Sequence, residues 1–198
     1  MPHDRVSSGA RWLARLRHLR LHFQPLLAPI YLFGTPVGAE AAGVARPLAQ
    51  PEVWLGALSL HVFLYGGTTA FNSYYDRDEG PVGGMLQPPP VDAGLLPFSL
   101  AVQAMGLALA LPVGRAFTGA WLLLFAVFTA YSHPAIRLKA RPWAALAAIA
   151  LGQGAVGFAL GWLTLAPARG LVTPASALRM AVTALIVTGL YVVTQSYQ

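Results

Sequence analysis

Apolar residues run through this chain in long blocks, not in the short alternating patches of a soluble core. Six stretches, near residues 19–37, 53–73, 94–113, 116–132, 142–165 and 175–195, are each about 17–24 residues long, enough to cross a hydrocarbon core of ~30 Å. Ahead of them, residues 9–23 place Trp12, Leu16, Leu19 and Phe23 on one helical stripe and Arg11, Arg15, His18 and His22 on the next. This pattern predicts a helix lying in a membrane interface. The chain therefore divides into a basic amphipathic segment over 1–18 and a helical bundle over 19–198. A secretory leader fits poorly, because the first apolar run carries Pro25, Pro29 and Pro36 and no small-residue cleavage site closes it. Gly157-x-x-x-Gly161 predicts close helix packing. Pro88-Pro89-Pro90, after Gly83-Gly84, marks a stiff loop. The fold class expected is all-α, a polytopic transmembrane helix bundle with no soluble domain and no internal repeat.

Composition strengthens the membrane reading. Residues are 56% hydrophobic and only 10% charged, where soluble domains carry about 25% charge. The absence of cysteine removes disulfides, thiolate metal sites and a cysteine nucleophile, so any metal must take oxygen or imidazole ligands. The net charge of +6 is dispersed over loops and forms no basic domain that could hold a duplex, so nucleic acid is not an expected partner. Topology explains the basic residues better. Alternate segments assign Arg5, Arg11, Arg15, Arg17, Arg20, Arg77, Arg137, Lys139 and Arg141 to one side and Arg46, Arg115 and Arg169 to the other, with Arg179 inside the last helix. The positive-inside rule then puts the N-terminus and both long polar loops in the cytoplasm. The expected location is a membrane, with the bacterial cytoplasmic membrane the natural choice.

Two loops on that side carry the chemistry. Of seven acidic residues, Asp76, Asp78 and Glu79 fall within four positions at the end of the second apolar block. If that helix continues past Asp76, Asn72, Asp76 and Glu79 share a face, Asp78 points away, and Gly80-Pro81 ends the helix. Hard oxygen ligands one turn apart suit Mg²⁺, which binds through one or two carboxylates plus substrate phosphates. A solvated acidic helix end partnered by Arg77 is the plain alternative. The loop from Tyr131 to Pro142 supplies the complement, Arg137 as a bidentate phosphate ligand and Lys139 as a point charge, although positive-inside topology alone accounts for such cations. His61, Gln103 and Gln153 read as hydrogen-bonding residues between helices. Tyr74, Tyr75 and Tyr131 either offer ring faces to a developing cation or anchor the membrane boundary.

The paired motifs, Asn72-x-x-x-Asp76-Arg77-Asp78 on the second helix and Tyr131-Ser132-x-Pro134-x-x-Arg137-Leu138-Lys139 after the fourth, resemble those of the UbiA superfamily of intramembrane prenyltransferases. The resemblance spans helices 2 to 5. It implies a nine-helix bundle, of which this chain supplies six helices. It also implies transfer of a prenyl group from a prenyl diphosphate to a lipophilic, often aromatic, acceptor. By the same resemblance Asn72 and Asp76 hold a Mg²⁺–diphosphate complex and Arg137 and Lys139 cap its phosphates; Asp76, Arg137, Lys139 and Tyr131 are the candidate catalytic residues. Three departures qualify this picture. Ser73 and Gly80 stand where the family carries aspartates, so Glu79 is expected to complete the metal ligands. Gln24 precedes Pro25 where many members have an arginine for an acceptor carboxylate. The second aspartate motif, which follows helix 6 in the family, is missing, so the chain is expected to be an N-terminal part, inactive by itself. The alternative from another class is a small transporter or channel in which Asp76, Asp78, His61 and Arg179 line a polar path.

Overall fold

A computed structural model describes residues 8–195, and Arg5, Tyr197 and Gln198 lie outside them. The described chain is all-helical. α1 (Ser8–Arg17) is followed by a sharp turn at Arg20, and α2 (Gln24–Ala42) runs through Pro29 and Pro36 to a left-handed Gly43. α3 (Pro51–Ala57), a π-helical segment (Leu58–Tyr65) and α4 (Gly66–Asp76) join end to end as one rod. α5 (Leu95–Ala110) and α6 (Arg115–Ser132) follow. α7 (Pro142–Ile149), a second π segment (Ala150–Val156) and α8 (Gly157–Leu163) form another rod, and α9 (Pro174–Gln195) closes the order.

These rods fall on the six apolar blocks of the sequence. Among the described residues three helical stretches, Arg115–Ser132, Pro142–Leu163 and Pro174–Val193, are long and apolar enough to cross a membrane, and Leu95–Ala110 is a shorter apolar helix. The first rod starts at Gln24 instead of near residue 19. Arg20 takes a left-handed conformation (φ 48°), and the 3₁₀ turn Leu21–Phe23 re-aims the chain before α2 begins. The same break divides the amphipathic stripe expected over 9–23. Trp12 and Leu16 are exposed on α1, whereas Leu19 is buried against Ala70, Leu95 and Val102.

The core is aromatic and aliphatic, built from Tyr31, Leu60, Leu64, Phe117, Trp121, Phe158 and their neighbours. Close approach needs glycine at two of its contacts. A Cβ on Gly161 would overlap the Tyr31 carbonyl of α2, and one on Gly154 would overlap the backbone of α9 at Ala184. Leu178, Leu185, Ile186 and Val193 remain exposed along α9. An apolar outer face of this kind suits lipid as its solvent, since helices satisfy their own backbone polar groups there.

Candidate functional site

The site is built from three chain reversals, each made by an arginine in the left-handed region: Arg20, Arg77 and Arg137. Among the described residues they are the only non-glycine positions with positive φ. Each costs about 1–2 kcal/mol relative to ordinary backbone, and such strain concentrates at functional sites.

At the first of these in space, α4 stops at Asp76 because Arg77 (φ 51°) caps it, donating its backbone N–H to Ser73 O at 3.0 Å. Helical spacing keeps Asn72 and Asp76 on one face. The early stop corrects the expectation for the next residues. Released from helical geometry, Asp78 borders the same cavity as Asn72 and Asp76, whereas Glu79, exposed like Asp78, does not. The terminator is Arg77 itself, three residues before Gly80.

The loop after α6 reverses at Arg137 (φ 47°), and a 3₁₀ turn, Leu138–Ala140, carries Lys139 back over α4. The Lys139 ammonium donates to Asn72 Oδ1 at 2.8 Å and to both carboxylate oxygens of Asp76. Ser132 Oγ donates to the same Asn72 oxygen at 2.7 Å. From the N-terminal side, Arg20 Nη2 donates to Ser73 Oγ at 2.9 Å and stands 4.0 Å from Asp78 Oδ2. Thus Ser73 is the anchor for a buried guanidinium.

These groups enclose a polar cavity of about 430 Å³, lined by Arg20, Asn72, Asp76, Asp78, Tyr131, Arg137 and Lys139 among others. Tyr131 reaches it with its hydroxyl 3.3 Å from that of Tyr191 on α9. A second cavity, of about 270 Å³, shares Arg20 and Tyr191 with the first but is walled mainly by apolar groups of α2, α6 and α9, including Leu27, Phe128 and Val187, with Thr68 and Thr69 of α4 beside them. A polar chamber therefore adjoins an apolar one across an Arg20–Tyr191 boundary.

The remaining sequence candidates separate from this site. His61 is buried between the rings of Tyr31 and Tyr65, at centroid distances of 5.8 and 5.5 Å, and does not line the polar cavity. Gln103 bonds to Ser99 O and to Thr68 and packs on Gly67. Tyr75 packs edge-on against His133, and Tyr74 lies beside Arg77. Gln153 borders the apolar cavity. Sequence reasoning counted Arg20 only among topogenic charges, and it gave Tyr191 and Gln24 no place in a cavity. The signal available for Arg20 was its position at the junction of an amphipathic segment and an apolar block.

A clasp holds the loop between α4 and α5 against the N-terminal segment. Arg15 donates to both oxygens of Asp92 at 3.2 and 2.8 Å, Arg17 to Gln87 O at 3.4 Å, and His22 Nε2 to Gly83 O at 2.9 Å. The Arg15 hydrogen bond holds the Asp92 carboxyl below its ordinary range.

Comparison with family models, with curated proteins and with solved structures yields no match. The functional reading therefore rests on this geometry.

No cluster of three His, Asp or Glu side chains that could hold a metal occurs among the described residues. Asn72 Oδ1 and the Asp76 carboxylate face one cavity with Asp78, and Mg²⁺ binds through one or two carboxylates together with substrate phosphates and water.

Proposed function

We propose that this chain binds a prenyl diphosphate at a membrane surface and serves its transfer to a lipophilic acceptor. The observation that carries the reading is the junction of the two cavities at Arg20 and Tyr191. A diphosphate ester of a prenyl alcohol has the matching polarity, with an anionic head for the polar chamber and an apolar remainder for the other.

In this reading Arg20, Arg137 and Lys139 receive the diphosphate oxygens, guanidinium forks holding two oxygens at once and the ammonium acting as a movable point charge. Lys139 moves from Asp76 to phosphate when the head group enters, which frees Asp76 and Asn72 to hold Mg²⁺. Bound there, Mg²⁺ supplies Lewis-acid stabilisation of the charge on the departing diphosphate. The residues do the rest. The allylic C–O bond breaks with its electron pair going to diphosphate, which the three cations stabilise. The ring faces of Tyr131 and Tyr191 border the allylic carbon as it gains positive charge. The acceptor forms the new bond to that carbon and gives up a proton to diphosphate or water.

The rods at α2, at 51–76 and at α5 cross the bilayer beside the three longer apolar helices in this proposal, giving six spans arranged as in a UbiA-type bundle with the N-terminus cytoplasmic. Positive-inside topology supports that orientation.

The test is calorimetric titration of the full chain in nanodiscs with a non-reactive geranyl thiolodiphosphate, with and without Mg²⁺. Binding that requires Mg²⁺ and weakens at least tenfold in Arg20→Leu and in Lys139→Met is expected. Equal affinity for geraniol, or affinity indifferent to both variants, overturns the reading.

A further inference from the structure

α1 and the turn after it meet a second segment, from the loop between α4 and α5. Val82 and Met85 exchange backbone hydrogen bonds at 2.9 and 3.0 Å across Gly83 and Gly84, whose φ values of 53° and 72° suit glycine. His22 Nε2 donates to Gly83 O at 2.9 Å and so pins that turn beside the start of α2. The two segments enclose an open groove of about 300 Å³, lined by Leu16, Arg17, Leu21, His22 and Met85. It shares no lining residue with the two cavities described above.

The lining is of two kinds. Leu16 and Leu21 are 50% and 43% exposed, and Leu13, one turn before Leu16, and Leu86, next to Met85, are exposed further. Single exposed leucines mean little, but several gathered at one cleft mark an interaction surface. The cation is Arg17. Arg15 is paired with Asp92 and Arg20 stands near Asp78, whereas among the described residues Arg17 makes no ion pair and one 3.4 Å bond, to Gln87 O. A guanidinium carries five N–H groups and can hold two phosphate oxygens at once. Neither 8–23 nor 82–87 contains Asp or Glu, so the groove has no carboxylate to receive the ammonium of a zwitterionic head group.

The level of the groove says where its occupant comes from. A Cβ on Gly66 would meet the Leu21 side chain at 3.3 Å. Gly66 starts α4, and at 1.5 Å per residue it lies about 15 Å short of the end of the rod at Asp76. The whole rod over 51–76 is roughly 40 Å long, against a hydrocarbon core of ~30 Å. In a bilayer crossed by that rod, the groove opens at the boundary of head groups and acyl chains.

We infer that the groove binds an anionic phospholipid, its phosphate on Arg17 and its acyl chain along Leu16, Leu21 and Met85. The Arg17 stem lies on the apolar groups while its head stays at the phosphate. The site rests on no part of the prenyl-transfer reading. It adds a choice between lipids, which an amphipathic stripe alone does not make.

The experiment uses the absence of cysteine from the chain. The full chain carrying Leu86→Cys, at an exposed position, is labelled with bimane and placed in phosphatidylcholine nanodiscs. Acyl-chain doxyl quenchers are added at equal mole fraction as phosphatidylglycerol or as phosphatidylcholine. The phosphatidylglycerol quencher should act at least about threefold more strongly. Arg17→Gln should bring the two quenchers to parity while quenching by the phosphatidylcholine form stays unchanged. Arg11→Gln, the same loss of charge outside the groove, should keep most of the preference. Equal quenching by the two lipids before any change at Arg17 overturns the inference. So does a preference that survives Arg17→Gln, an equal fall in Arg11→Gln, or an absence of quenching by both lipids. Removal of the preference by millimolar glycerol 3-phosphate at constant ionic strength assigns the groove to a free phosphate ester and overturns the lipid.

Discussion

Lys139 donates to both carboxylate oxygens of Asp76, a residue 63 positions earlier in the chain, and to the Asn72 oxygen one turn before it. One ammonium thus closes the end of α4 against the loop that follows α6. The pair is partly sheltered, with 15% and 19% of the two side chains exposed. Removing one partner leaves a charge with reduced solvation, so Lys139→Met and Asp76→Asn should each destabilise the bundle by about 1–3 kcal/mol, below the 3–5 kcal/mol of a fully buried pair. The double variant should lose less than the sum, because the second change removes a charge already stranded. Thermal unfolding of the four proteins in one detergent measures the coupling. Strict additivity would mean that the two groups do not interact in the folded protein.

The termination of α4 at Arg77 assigns different roles to neighbouring carboxylates. Asp78 borders the polar cavity and lies 4.0 Å from Arg20, while Glu79 stands outside it. Asp78→Asn should therefore change Mg²⁺-dependent binding of geranyl thiolodiphosphate by fivefold or more, and Glu79→Gln by less than twofold. The same titration series decides between them. A larger effect at Glu79 would restore the continued helix as the arrangement that binds.

Packing makes an independent prediction at the Gly157-x-x-x-Gly161 pair. A Cβ on Gly161 meets the α2 backbone at Tyr31, which cannot yield without moving the helix, whereas one on Gly157 meets the Ile30 side chain at 3.3 Å. Gly161→Ala should cost about 1–3 kcal/mol or more as an overpacked site. Gly157→Ala should cost less than 1 kcal/mol, because a rotamer shift of Ile30 relieves it. Unfolding midpoints in a common detergent read the difference, and equal losses would show that helices α2 and α8 separate freely.

Much of the helical frame was legible because block length and hydropathy act locally. Each rod lies on an apolar block, and Asn72 and Asp76 of α4 line one cavity with Arg137 and Lys139 of the loop after α6. What pattern reading missed depends on single backbone dihedrals. Arg20 and Arg77 adopt left-handed conformations that no periodicity announces. The first of them starts α2 late and buries Leu19, and the second exchanges Asp78 for Glu79 at the cavity. Arg20 joined the site through a contact 53 positions away, at Ser73, and a count of loop charges contains no such information. Nor could composition distinguish Gln24 from Gln103. Both are buried carboxamides, yet Gln103 is hydrogen-bonded and the Gln24 oxygen is not.

His18 supplies a pH dependence whose sign can be worked out. The ring is 2% exposed, and neither nitrogen has a hydrogen-bond partner among the described residues. Burial, and then the positive charge of Arg20, lowers its pKa below the ordinary 6.5; Arg17 adds slightly, while the carbonyls of Pro89 and Pro90 face the ring and act the other way without reaching hydrogen-bonding geometry. The unfolded chain therefore takes up a proton at His18 at a higher pH than the folded chain does. Stability contributed by the neutral ring is complete above about pH 6.5 and falls as the pH drops from there toward the folded value. Between pH 7.5 and 5.5 the loss from this residue is bounded at about 1.4 kcal/mol by the one unit between 6.5 and 5.5. His18→Leu keeps an apolar side chain in the site and removes the proton. Its unfolding midpoint should fall less than that of the unaltered protein between those two pH values, with the other histidines common to both. An equal fall in the two proteins would place the ring in contact with water, and the clasp formed by Arg15 and Asp92 would then not seal the N-terminal segment over it.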